Sequence, residues 1–92
     1  MDDKLDDALA FLKSTPPVNR CGIEDVFGDD HTADIKLLLP APLNEGVHDL
    51  FERVKKTVSS HSGDGYRLTV SDDHHIDEYG DVYFYVTFNQ TG

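Results

Sequence analysis

Hydrophobic positions recur along this chain with two periods, and the change from one period to the other separates its elements. Near the start, Leu5, Ala8, Leu9, Phe11 and Leu12 fall at spacings of three and four, which predicts an amphipathic helix. Asp2 and Asp3 stand ahead of it, where a carboxylate can cap free N–H groups and favour the helix dipole. The run "TPP" at 15–17 stops it, because a residue before proline avoids the helical region.

A stronger stripe of Val47, Leu50, Phe51, Val54 and Val58 predicts a second helix over 43–60. Asn44 is its candidate N-cap, with Pro42 at the first helical position as the alternative. Asp49–Arg53 and Glu52–Lys56 are i,i+4 pairs in the favourable orientation. The following "HSGDG" supplies glycine at the C-terminal end.

Three segments alternate instead. In 32–39, Ala33, Ile35, Leu37 and Leu39 share a face, and Thr32, Asp34 and Lys36 share the other. Residues 66–71 put Tyr66, Leu68 and Val70 inward, and 82–88 put Val82, Phe84, Val86 and Phe88 inward. Tyr83, Tyr85 and Thr87 then face outward with Arg67 and Thr69. The stretch 18–31 has no clean period; Ile23, Val26 and Phe27 fit one face of a single short helical turn bracketed by Gly22 and Gly28. The predicted fold is a single α+β domain over 1–92. It has two layers, a mainly antiparallel sheet of about three strands packed by one long helix, with an N-terminal helix.

The two last strands constrain the stretch between them. Inward residues are even-numbered on both, so opposed residues must share parity. A two-residue turn at Tyr79-Gly80 breaks this rule down the whole ladder. Leu68 opposite Phe88 and Val70 opposite Val86 obeys it. About ten residues, "DDHHIDEYGD", are then left to project as an irregular acidic loop pinned by Ile76, or to extend the hairpin through a bulge.

Charge changes the picture more than composition does. Eighteen Asp and Glu face eight Lys and Arg, a net charge of −10. Such a chain repels phosphate backbones and anionic lipid, so direct nucleic-acid or membrane binding is not expected and a basic partner is. Cys21 is the only cysteine, which excludes an internal disulfide and fits a reducing compartment. The acidic opening segment does not resemble a signal peptide, and no run approaches a membrane span. The expected location is cytoplasmic.

No motif carries a reaction. His74, His75, Asp72, Asp73, Asp77 and Glu78 are metal-ligand types, but adjacent histidines on extended chain point apart, and the calcium-loop pattern fails. Arg20 beside Cys21 favours a thiolate, yet there is no nucleophile elbow and no phosphate loop. The expectation is a non-enzyme with no cofactor and no metal.

Fourteen of the eighteen acids fall into three clusters, on the first helix, in 24–34 and in 72–81. In size and in the runs "DDKLDD", "EDVFGDD" and "DDHHIDE", the chain resembles, at the level of class alone, small inhibitors carried by phages and mobile elements. These include anti-restriction and anti-CRISPR proteins; toxin-neutralising immunity proteins are similar too. The resemblance implies an inhibitor of a nucleic-acid-handling protein or complex, a nucleic-acid mimic acting through an anionic surface. The candidate partner-binding residues are Asp72, Asp73, Asp77, Glu78, Asp29, Asp30, Tyr83 and Tyr85, with Tyr79 as a further anchor. The alternatives are a protein–protein adaptor or assembly subunit using the tyrosine face, and a metal or pH sensor using the His/Asp stretch.

Overall fold

In a computed structural model the chain is described over residues 4–39, 46–61 and 65–91. The first helix, α1, runs Lys4–Ser14 and ends just before the two prolines. A single 3-10 turn, Val18–Arg20, leads into strands β1 (Gly22–Gly28) and β2 (Thr32–Leu38). Helix α2 (Val47–Ser59) follows, then β3 (Tyr66–Val70), the two-residue β4 (His75–Ile76) and β5 (Val82–Gln90). The proposed caps at Asp2, Asp3, Pro42 and Asn44 lie outside the described residues. Gly46 flanks the start of α2, and its end passes into Ser60, still helical in φ and ψ.

All strand pairs are antiparallel. The order across the sheet is β1-β2-β5-β3, with β4 also paired to β5 on the β3 side. Strand β5 is therefore the centre. Both helices pack on one sheet face: Ala8 and Leu12 of α1, and Leu50, Phe51, Val54 and Val58 of α2, close over the alternating inward residues of β2, β3 and β5. Among the described residues, no helix covers the other face.

The expected sheet of about three strands under one long helix is corrected on both counts. The sheet has five strands, and the apolar face is shared by two helices, α1 meeting β5 and α2 meeting β3. The thirteen-residue α2 is too narrow a cover for a sheet this wide.

The hidden strand is β1, where a helical turn was expected. Its register shifts between Ile23 and Asp25, so Ile23 opposes Leu37 while Val26 opposes Ile35. Glu24 is the extra residue of a β-bulge, and the bulge changes the parity of the strand. Ile23 and Val26 thereby share the core face at a spacing of three, which imitates a helix. Beyond the bulge, Phe27 faces outward and is 49% exposed.

No helix among the described residues is long and apolar enough to cross a membrane. Phe84 is completely buried, with its ring 5.4 Å from that of Phe51. Phe84→Ala is expected to cost about 3–5 kcal/mol in urea unfolding, against about 0.5 kcal/mol or less for Arg67→Ala on the open face. Equal losses would contradict a core confined to one side of the sheet.

Candidate functional site

The acidic stretch is built on the end of β5. Leu68 opposes Phe88 and Val70 opposes Val86, the register that parity demands. The ladder resumes with His75 opposite Tyr83 and Ile76 opposite Val82. Ser71 N–H still donates to Tyr85 O at 2.9 Å. Asp72, Asp73 and His74 are therefore looped out against the single residue Phe84, and the bulge preserves parity. The hairpin closes over Asp77–Asp81, where Asp77 N–H donates to Asp81 O at 3.0 Å. Asp77 Oδ1 accepts the N–H groups of both Tyr79 and Asp81 at 2.9 Å. Gly80 takes φ +85°, which a side chain rarely adopts.

The stretch is thus a bulged hairpin rather than an irregular loop. Ile76 does not pin it, being 67% exposed. His74 does: its ring lies 5.3 Å from that of Phe51. Its Nδ1 is 3.1 Å from Asp73 Oδ1, in ion-pair reach if the ring is protonated. The contact is not aligned as a hydrogen bond, and that oxygen already accepts His74 N–H at 2.8 Å. His75 points to the other face, 5.4 Å from the Tyr83 ring.

Tyr83 and Tyr85 are half-buried on the open face, meeting edge to face at 5.8 Å. The cation among them is Lys36, not Arg67. Lys36 Nζ lies 4.5 Å above the Tyr83 ring and 3.0 Å from Glu24, whose hydrogen bond is the first cause that raises its pKa. Arg67 opposes Asn89, four residues along β5 from Tyr85 and roughly 13 Å away. Parity put Lys36 on this face; its ion pair needed the bulge at Glu24, which no periodicity reveals.

Asp29 and Asp30 belong to the opposite pole. The β1–β2 turn meets the C-terminal end of β5, where Gln90 N–H donates to His31 O at 2.8 Å. The β4–β5 turn meets its N-terminal end, so the two acidic turns are separated by roughly 26 Å of strand. The acids of α1 lie toward the Asp29 pole, since Asp7 acts on Tyr66 near the start of β3. There the Tyr66 hydroxyl is 2.9 Å from His61 Nε2, and the His61 ring stacks on Phe11 at 3.6 Å. The described acids therefore do not converge on one surface: the two acidic turns lie at opposite ends of β5, and Glu24, Asp25 and Asp34 lie on the strands between them. Asp72, Asp73, Asp77 and Glu78 share the hairpin that pairs with β5 from Tyr83 onward; Asp29 and Asp30 do not.

Candidate chemistry elsewhere is quiet. Burial pushes the Cys21 thiol up to about 11 against the lowering effect of Arg20. Thiolate at neutral pH is then on the order of one part in ten thousand. Among the described residues, no group of three His, Cys, Asp or Glu side chains is arranged to hold a metal ion.

Asp29 has a structural task. Its Oδ1 accepts Thr32 N–H at 3.0 Å and His31 N–H at 2.9 Å, and these bonds hold its carboxyl below the ordinary 3.8. A lowered folded pKa means that the contribution is complete above the unfolded value, about 3.9, and is lost as pH falls through the folded one. Carboxyl-detected NMR should show Asp29 titrating below 3.8, with the amide shifts of His31 and Thr32 following the same curve. An ordinary titration, with those amides unmoved, would contradict the turn geometry.

No protein-family model, curated protein or solved structure matches this chain.

Proposed function

We propose that this protein is a non-enzymatic binding protein that engages a basic partner through the β4–β5 pole, and that the partner is a protein or complex that handles nucleic acid. The observation that carries this reading is the juxtaposition at that pole. Asp72, Asp73, Asp77, Glu78 and Asp81 stand on an ordered hairpin with no Lys or Arg between 71 and 81. Tyr79 is 83% exposed at the tip, and Tyr83 and Tyr85 lie at the base. Carboxylates steer a cationic surface and set its orientation, while tyrosines supply rigid contact area at modest entropy cost. Action as an inhibitor is part of the proposal, since carboxylates seated on Lys and Arg deny them to phosphates. The raised pKa of the Cys21 thiol argues against that thiol as a nucleophile. A reducing, cytoplasmic setting is included, on the strength of the lone cysteine.

Magnitude limits how far mimicry extends. The described body measures 40 × 24 × 21 Å. Forty ångströms of duplex carries about 24 phosphate charges at one per ~1.7 Å, well above a net charge of −10. The charge supports competition at one cationic patch, not replacement of a whole duplex.

A second reading, an adaptor using the open face, draws on Leu38, Tyr83 and Tyr85, which are half-buried there, and on exposed Phe27. Salt separates the two, because screening weakens exposed charge contacts and spares an apolar interface. Asp72, Asp73 and Glu78, which are exposed, changed together to Lys should weaken a captured basic partner by about tenfold or more at low salt, with the wild type approaching the variant at high salt. Unchanged affinity at low salt would remove the acidic pole from the interaction.

A further inference from the structure

The sheet has two outer edges, and they differ in their backbone groups. In an antiparallel ladder, alternate residues bond to the neighbouring strand and the rest point away. On β3 the phase follows from two bonds that flank it, Thr91 N–H to Gly65 O at 2.8 Å and Ser71 N–H to Tyr85 O at 2.9 Å. Arg67 and Thr69 therefore bond to β5, and Tyr66, Leu68 and Val70 turn their N–H and C=O groups to the outer edge. No strand among the described residues pairs with that side. Just past its C-terminal end, Lys55 Nζ donates to Asp72 O at 3.2 Å.

The β1 edge is blocked by its own sequence. Asp29 N–H donates to Thr32 O, which sets the phase so that Val26 N–H points outward. Asp25 Oδ1 occupies that N–H at 2.9 Å, and the bulge at Glu24 breaks the line of the strand. Bulges and charges of this kind keep other strands off an edge. Strand β3 has no bulge and is regular over all five residues; its one charge, Arg67, belongs to a residue whose backbone bonds to β5.

We propose that the β3 edge is the docking site for an extended cationic segment of the partner, added as a further strand beside Tyr66, Leu68 and Val70. This rests on the reading of a basic partner given above. Main-chain bonds supply the attachment in such strand addition, and flanking side chains the selectivity. Here Asp72 and Asp73 follow the edge directly, and the Asp73 side chain is 77% exposed. The Lys or Arg of the incoming strand fall at that end, away from Arg67. A second copy of this chain is disfavoured as the occupant, because each copy brings a net charge of −10.

The test is amide hydrogen exchange on the ¹⁵N-labelled full chain, with the synthetic peptide Lys-Val-Lys-Val-Lys-Val-Lys and its Glu-for-Lys counterpart as probes. The Lys peptide should slow exchange at Tyr66, Leu68 and Val70 by about tenfold, the effect of one or two added backbone hydrogen bonds, and the Glu peptide should not. Val70→Pro removes an outward N–H without touching a bond to β5, at the cost of a buried side chain, so it should abolish this effect while Arg67 and Thr69 stay protected. If that variant does not fold, Arg67→Glu takes its place, with tighter binding of the Lys peptide expected. Lys-peptide binding that moves only residues 72–81 would overturn edge docking while leaving the basic-partner reading intact. Failure of both peptides to bind would also overturn it, and the charge-reversal variant would then judge that reading separately. Protection of β3 that rises with protein concentration alone would overturn the choice of occupant in favour of a second copy.

Discussion

The structure depends on the two-residue period of β5. Its even-numbered side chains, Val82, Phe84, Val86 and Phe88, are buried against both helices. The same period sorts its backbone. Val82 O accepts Leu39 N–H and Gln90 N–H reaches His31 O, so the even-numbered residues bond toward β2. Tyr85 O and Asp81 O accept from Ser71 and Asp77, so the odd-numbered ones bond toward β3 and β4. One alternation thus decides which side chains form the core, which tyrosines face outward, and which strand each peptide group serves. A register slip of one residue would exchange all of these at once.

That constraint explains why the hairpin carries a bulge. The chain must leave β3 and return in β5 without reversing the two faces. Looping out Asp72–His74 does so. His74 then packs on Phe51 and anchors the hairpin, which leaves Asp72, Asp73, Glu78 and Asp81 exposed. Acidity and architecture coincide here: residues that are costly to bury occupy the part of the ladder that has no inner face.

Much of this was legible in the sequence. Periods of 3.6 and 2 identified both helices and three strands, and parity identified the β3–β5 register, which an irregular loop or a bulged extension would equally satisfy. What escaped detection had physical causes. Strand β1 was concealed because Glu24 shifts its phase and leaves Ile23 and Val26 at a helical spacing. Strand β4 is only two residues long within a polar run, and no hydropathy pattern marks it. The separation of Asp29 and Asp30 from the hairpin acids depends on which end of β5 each turn meets, a property of topology rather than of local sequence. Lys36 over Tyr83 required the same long-range knowledge.

The acidic hairpin is proposed to compete with nucleic acid for a cationic surface. The most direct measurement is displacement: labelled nucleic acid bound to a captured basic partner, titrated with this protein at low salt. Mutually exclusive binding is expected, with nucleic acid released as the protein binds and retained when Asp72, Asp73 and Glu78 are replaced by Lys. A stable ternary complex, with the nucleic acid still bound, would contradict it.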